Sequence, residues 1–126
     1  MEIKFKNNYN TLIAIPLYNS EKDMPKTLES CLNQTVGSNI VVVDNCSTDN
    51  SFEQVFSYAS KNENLYILKN KINLGRVQNW NKCLDIFYKS NHKYLRFLFT
   101  GDTLVSNCIE KSEKIFEKNQ DISILI

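Results

Sequence analysis

The feature that most constrains the fold of this chain is a regular alternation of short apolar runs with segments of helical periodicity. Thr11–Pro16 and Ile40–Val43 have the length and the apolar, partly β-branched character of buried strands. Leu65–Leu68 and Tyr94–Phe99 have the same character, and a last run, Ile122–Ile126, predicts the start of a fifth strand. Four strands are thus each followed by a predicted helix.

Four successive β-α units predict a mostly parallel sheet with helices on both faces, because parallel strands need crossovers and those crossovers are right-handed. We therefore expect a three-layer α/β/α fold of the Rossmann-like kind, with residues 1–126 forming a single domain. The third helix is predicted to have an apolar face made of Val77, Trp80, Leu84 and Phe87.

The predicted functional site lies where the strands end. Ligands of parallel α/β sheets bind at the carboxyl ends of the strands, near a switch in strand order. The polar turns after strands one, two and four would gather at that edge. These turns contain Tyr18, Asn19 and Glu21, then Asp44, Asn45 and Ser47, and finally Gly101 and Asp102.

Several classes of protein are excluded by composition and motifs. The formal net charge is +1 and 23% of the residues are charged, which gives no footprint for nucleic acid. Neither a P-loop, nor a dinucleotide G-x-G-x-x-G, nor a G-x-S-x-G nucleophile elbow is present. The four cysteines form no C-x-x-C pair and His92 is the only histidine, so we expect reduced thiols and no zinc site. The apolar runs are too short to cross a bilayer, and we expect a soluble cytoplasmic protein.

The turns supply carboxylates, amides and one aromatic ring. Asp44 and Asn45 could hydrogen-bond the edge of a base, on which Tyr18 could stack. Asp102 is suited to a Mg²⁺ or Mn²⁺ ion that shares ligands with a diphosphate, and Arg76 could add a positive contact. The alternative is that Asp and Asn after strands cap turns and helices, and for Asp44 and Asp102 both interpretations remain open.

Several ordered blocks of sequence resemble family 2 glycosyltransferases, the inverting, nucleotide-sugar-dependent enzymes of the GT-A type. The blocks are I-A-I-P-L-Y-N-S-E at Ile13–Glu21, L-E-S-C-L-N-Q-T at Leu28–Thr35 and I-V-V-V-D-N-C-S-T-D-N-S at Ile40–Ser51. Further blocks are N-L-G-R-V-Q-N-W-N at Asn73–Asn81 and F-L-F-T-G-D-T-L at Phe97–Leu104. Because the blocks agree in order and spacing, the resemblance extends from Thr11 to about Phe116.

The resemblance implies the amino-terminal, donor-binding half of such an enzyme, with a UDP-sugar as the favoured donor. Asn19 is included in the nucleotide-sugar site, and Gly101 falls where many members have the first Asp of the metal motif. The loss of that carboxylate implies weaker binding of Mg²⁺ or Mn²⁺ rather than none. The remaining implied contacts are Pro16 and Tyr18 beside the base, Asp44 and Asn45 at the base and ribose, Arg76 near the diphosphate, and Asp102 on the metal.

Two other departures from the family pattern matter. Cys46 replaces a glycine in a turn that often needs a positive φ, so we expect backbone strain there. The chain also stops where the acceptor-binding half of the family begins, and no residue matches the catalytic base, which we expect beyond residue 126. We therefore expect a truncated chain that does not transfer sugar unaided.

The leading interpretation is donor binding for transfer to a saccharide or lipid-linked acceptor in bacterial cell-surface polysaccharide synthesis. A location peripheral to the inner membrane is compatible with this interpretation. The alternative is a non-catalytic fragment or degenerate homologue that serves as a binding or assembly module. Nucleotidyl transfer is disfavoured because those enzymes usually have a glycine-rich, basic loop where this chain has L-Y-N-S-E. A face left uncovered by the missing half would favour homo-oligomers.

Overall fold

The computed structural model describes residues 3–125, which form a parallel four-stranded sheet with helices on both faces. The strand order is β3-β2-β1-β4, so the predicted α/β/α architecture is confirmed. In chain order the elements are β1 (Thr11–Leu17), α1 (Met24–Leu32), β2 (Asn39–Asp44), α2 (Ser51–Ala59), β3 (Leu65–Lys69), α3 (Arg76–Lys89), β4 (Tyr94–Phe97) and α4 (Cys108–Lys118).

The sheet separates two hydrophobic clusters. On one face, Ile13 and Ile15 of β1 pack with residues of α1, α2 and α4, among them Leu28, Val55 and Ile109. On the other face, alternate strand residues pack beneath α3; the buried members of that cluster are Leu12, Ala14, Val41, Val43, Cys83 and Ile86. Every residue of β1 and β2 is buried, as expected for strands covered on both sides.

The core-facing side of α3 differs from the prediction. Val77 and Trp80 were expected to be buried, but they are 64% and 36% exposed. The buried residues of the helix are Asn79, Cys83 and Ile86, which are also spaced for one helix face. The hydrophobic pattern did not identify Asn79, the first residue of this face, as buried, because its amide is stabilised there by hydrogen bonds rather than by apolar contact.

The predicted fifth strand is wrong for the part of it that the structure describes. Residues 122–125 form no strand, and Ile126 lies outside the described residues. Ser123, Ile124 and Leu125 border a hollow with Tyr94–Arg96, so the segment lies near β4 without joining the sheet ladder. Apolar β-branched character favours a strand, but a strand forms only where its backbone finds a hydrogen-bonding partner.

The four cysteines are free thiols, as predicted. Cys31 and Cys83 are buried on α1 and α3, and burial raises the pKa of each thiol to about 12. Within residues 3–125, no helix has the length and apolar character needed to cross a membrane.

Candidate functional site

A cavity of about 570 Å³ opens at the carboxyl ends of β1, β2 and β4, beside the first turn of α3. This is the edge that the topology predicts for ligand binding, and its volume is within the range of small-molecule sites. The cavity is lined by Pro16, Leu17, Tyr18, Asn45, Asn73, Gly75, Arg76, Asn79, Trp80, Phe99 and Thr100.

Asn45 fixes the loop between β3 and α3 against the end of β2. Its Oδ1 accepts hydrogen bonds from the backbone N–H of Leu74 at 2.8 Å and from Nδ2 of Asn70 at 3.0 Å. Its Nδ2 donates to Oδ1 of Asn73 at 2.9 Å and to the carbonyl oxygen of Gly75 at 3.3 Å. The side chain is buried and all its polar atoms are hydrogen-bonded, so Asn45 fixes the loop that immediately precedes Arg76.

Asn73 and Gly75 form the turn that starts α3. Oδ1 of Asn73 accepts a hydrogen bond from the backbone N–H of Gly75 at 2.8 Å. Gly75 has a φ of 81°, which a residue with a side chain rarely adopts. Arg76 follows as the first residue of α3, and its exposed side chain borders the cavity.

A second buried amide pair ties α3 to the sheet. Nδ2 of Asn79 donates to the carbonyl oxygen of Val43 at 3.0 Å, and its Oδ1 accepts from Nδ2 of Asn70 at 2.8 Å. Nζ of Lys82 donates to Oδ1 of Asn70 at 2.7 Å. This network holds the first turns of α3 over the ends of β2 and β3.

Tyr18 and Asn19 follow β1, but only Tyr18 lines the cavity. The Tyr18 side chain is 48% exposed, which leaves its ring accessible to a ligand. Asn19 has a φ of 44°, and its Oδ1 accepts from the backbone N–H of Thr48 at 2.8 Å. Asn19 therefore joins the turns after β1 and β2.

Asp44 is fully buried at the end of β2, and it does not line the cavity. Its carboxylate accepts hydrogen bonds from both the backbone N–H and the hydroxyl of Ser47. This is the turn-capping arrangement that the sequence left open as the alternative to base binding. Within the same turn Cys46 has a φ of 62°, which confirms the expected positive φ at this position.

Gly101 and Asp102 follow β4 in a turn held by α1. Gly101 has a φ of 98°, and its N–H donates to the hydroxyl of Thr27 at 2.9 Å. That hydroxyl donates to the carbonyl oxygen of Asp102, also at 2.9 Å. The Asp102 side chain is exposed; Thr100, two residues earlier, lines the cavity, whereas Gly101 and Asp102 do not.

Of the eight predicted site residues, the structure brings four to the cavity, namely Pro16, Tyr18, Asn45 and Arg76. Of the other four, Asp44 is the last residue of β2, and Asn19, Gly101 and Asp102 lie in the turns after the neighbouring strands β1 and β4. Across residues 3–125, no group of three or more His, Cys, Asp or Glu side chains could by itself hold a metal ion. The sequence did not predict that Trp80 and Phe99 would line the cavity, because both were taken for parts of the buried helix and strand.

The family model described as "Glycosyl transferase family 2" matches residues 12–125, which is nearly the whole chain. The chain belongs to this family. The match also confirms the family that the sequence blocks had indicated.

Two curated relatives show how much of a longer family member this chain covers. An uncharacterized glycosyltransferase of Methanocaldococcus jannaschii, MJ1057, is 32% identical over 116 residues, covering 90% of this chain and 39% of the relative. A poly(ribitol-phosphate) beta-glucosyltransferase of Bacillus spizizenii is 30% identical over 117 residues, covering 89% of this chain and 18% of the relative. The chain thus spans well under half the length of these family members.

The fold is also similar to that of solved structures. The S. aureus TarS structure in complex with UDP-GlcNAc superimposes with a TM-score of 0.79 at 24% identity, covering 89% of this chain and 32% of the TarS chain. A Pyrobaculum calidifontis mannosyltransferase in complex with GDP-Man and Mn²⁺ matches with a TM-score of 0.55 at 21% identity, over 62% of this chain and 25% of that one.

Proposed function

We propose that this chain is the donor-binding domain of a glycosyltransferase, and that its cavity binds a nucleoside diphosphate sugar. The observation that carries the proposal is the charge of the cavity. Among the described residues that line it, Arg76 is the only one with a charged side chain, and no carboxylate is present. A cavity with one cation and several amides suits an anionic ligand that also needs hydrogen bonds.

The start of α3 adds to this positive character. Gly75 caps the helix without a side-chain hydrogen bond, and both Gly75 and Arg76 border the cavity. The first N–H groups of a helix carry partial positive charge and favour phosphate. In the proposed complex, Arg76 and this helix end therefore face the diphosphate, while the exposed ring of Tyr18 packs against the base.

Asp102 would hold a divalent cation together with the diphosphate. Mg²⁺ sites commonly use one or two carboxylates and complete the coordination with substrate phosphates and water, so one exposed carboxylate two residues after the cavity-lining Thr100 fits this mode. When bound, Mg²⁺ or Mn²⁺ would neutralise charge on the leaving diphosphate. Gly101 supplies no second carboxylate, and we therefore propose weak metal binding in the absence of nucleotide.

Asp44 acts in this proposal through the turn that it caps. Its bonds to Ser47 hold the turn after β2. The backbone N–H of Asn19, the residue after Tyr18, donates to the hydroxyl of the same Ser47 at 2.9 Å. Base recognition by Asp44 itself would require its buried carboxylate to exchange Ser47 for the ligand. We assign the direct contact with base or ribose to Tyr18, Pro16 and the Asn45 region.

We also propose that the enzyme containing this domain works in cell-surface polysaccharide synthesis. Relatives support this class of acceptor: one is named as a poly(ribitol-phosphate) beta-glucosyltransferase, and another, from Bacillus subtilis, as the minor teichoic acid biosynthesis protein GgaA. A UDP-sugar is the favoured donor, in keeping with the UDP-GlcNAc complex of TarS. Cytoplasmic location, contact with the inner membrane and self-association stay predictions.

Calorimetric titration of the 126-residue chain with UDP, GDP and TDP, each with Mn²⁺ and with EDTA, tests the proposal. We expect at least one nucleotide to bind with metal-dependent affinity. Arg76→Ala should weaken that binding by roughly 10- to 100-fold, because it removes a charge-assisted contact. Lys89→Ala is the matched control, since it removes a cation at the far end of the same helix, where Lys89 pairs with Asp85.

Asp102→Asn should reduce the difference between the Mn²⁺ and EDTA titrations, whereas Asp121→Asn, which neutralises another exposed carboxylate, should not. Metal-independent binding that Asp102→Asn leaves unchanged would favour the alternative, a nucleotide-binding module without the metal site. If none of the three nucleotides binds, the proposal is contradicted.

A further inference from the structure

Three aromatic rings form a continuous row at the β4 end of the cavity. The centroids of Trp80 and Phe99 are 5.3 Å apart with an angle of 52° between the rings. Phe99 stacks in turn on Phe97, at 6.0 Å and 25°. Phe97 packs against the hydrophobic cluster beneath α3, so the row is anchored in the core at one end.

Two rings of the row, Trp80 and Phe99, are partly exposed and belong to neither buried cluster. Trp80 and Phe99 remain 36% and 42% exposed, and Val77, one turn before Trp80, is 64% exposed. The core side of α3 is occupied by Asn79 and Cys83 instead. Large apolar side chains that are exposed together in a cavity indicate contact with a ligand more than a role in folding.

The aromatic row and the amides occupy different parts of the cavity. Asn45 and Asn73 lie at the β2 end, whereas Phe99 follows β4, and β1 with Tyr18 stands between those strands in the sheet. A ligand that spans the cavity would therefore meet amides and Tyr18 at one end and the aromatic row at the other.

We propose that the Trp80–Phe99 pair is the surface against which the sugar ring of the donor packs; this inference rests on the proposed function. A pyranose has a face of C–H groups that can lie on an aromatic ring, while its hydroxyl groups point outward from the ring edge. Thr100 also lines the cavity, and its hydroxyl, 3.0 Å from that of Ser20, is a polar neighbour for one such hydroxyl. Trp80 is thus a specificity-determining residue for the sugar, separate from the residues that hold the nucleotide.

The geometry favours a sugar over a base at this position. A planar base gains most from an offset-parallel ring or from a slot between two parallel rings. Trp80 and Phe99 are inclined to each other by 52°, which forms an angled wall rather than a slot. The puckered ring of a saccharide suits such a wall, and Tyr18 remains free for the base.

Trp80 is the only tryptophan of the chain, so its fluorescence reports on this wall alone. We expect UDP-GlcNAc with Mn²⁺ to change the intensity or the wavelength of the Trp80 emission, and UDP with Mn²⁺ to change it much less. By calorimetry, Trp80→Ala should weaken UDP-GlcNAc by about 3- to 10-fold and leave UDP within about twofold. UDP-glucose provides a second sugar for the same comparison.

Two further variants guard against a folding artefact. Trp80→Phe keeps a ring at the site and should retain most of the preference for UDP-GlcNAc over UDP. Tyr88→Ala removes a 78% exposed ring from the same helix away from the cavity, and it should change neither affinity. Far-UV circular dichroism of each variant checks that the helical content of the chain is retained.

The outcomes separate this inference from the function on which it rests. If none of UDP, GDP, TDP and UDP-GlcNAc binds the unmodified chain, the proposed function fails. If GDP or TDP binds in place of UDP, the Trp80 comparison is made with that nucleotide and its sugar conjugate. If both bind and Trp80→Ala weakens them equally, the wall contacts the nucleotide and the sugar assignment is overturned. It is overturned as well if both bind and Trp80→Ala changes neither affinity.

Discussion

At the scale of single residues, Cys46 is where backbone conformation and residue type agree least. It lies in the turn after β2 with a φ of 62°, a region that residues with a Cβ occupy at a cost of about 1–2 kcal/mol. The thiol adds little stabilising interaction, since its Sγ donates only a long hydrogen bond, of 3.9 Å, to the carbonyl oxygen of Lys71. The neighbouring Asp44–Ser47 and Asn19–Thr48 hydrogen bonds keep the turn in this strained conformation.

Cys46→Gly should therefore stabilise the chain by about 0.5–1 kcal/mol, because the gain from relieved strain exceeds the added entropy of the unfolded state. Urea denaturation followed by circular dichroism measures the difference. Cys46→Ala is the control, since it removes the sulfur and keeps the Cβ, and it should give no gain. A glycine variant no more stable than the alanine variant would contradict the strain interpretation.

Some site residues could be predicted individually and others could not. Tyr18 and Arg76 were predictable because the resemblance to the family marks them and both side chains are exposed at the cavity. For Asp44 the sequence allowed ligand binding or capping, and only coordinates show that Ser47 occupies its carboxylate. The amino-acid sequence does not distinguish ligand binding from capping, because the same carboxylate oxygen atoms serve both roles.

At the scale of elements, α3 has the largest influence on the site. Its first residue is Arg76, its second turn carries Trp80, and its amide Asn79 is hydrogen-bonded to the sheet. The hydrophobic pattern predicted that the helix exists, and it does. It did not predict which side faces the core, because Trp80 and Asn79 are adjacent and polarity alone assigns them to the wrong sides.

Asn79→Ala should destabilise the chain by about 1–3 kcal/mol, since it removes the side-chain donor to the carbonyl of Val43 and one of the two acceptors of the buried Asn70 amide. The midpoint of urea unfolding measures this loss. Gln78→Ala, at the exposed neighbouring position, should cost less than about 0.5 kcal/mol. Equal effects of the two substitutions would show that the buried amide network does not hold α3 in place.

At the scale of the whole molecule, the parallel order β3-β2-β1-β4 brings turns from distant parts of the sequence to one edge. This arrangement was predictable, because four β-α units and right-handed crossovers leave few topologies. The aromatic wall at the same edge was not, since it depends on how far α3 is rotated about its axis. Topology thus indicates where the site is, and the packing of one helix determines what the site contains.

The most direct measurement is a crystal structure of the chain with UDP-GlcNAc and Mn²⁺. We predict electron density for the nucleotide in the cavity at the ends of β1, β2 and β4, with the base beside Tyr18, the diphosphate facing Arg76, and Mn²⁺ between the phosphates and Asp102. Density for the nucleotide at any other surface, or an Asp102 carboxylate directed away from a diphosphate bound in the cavity, would contradict this prediction.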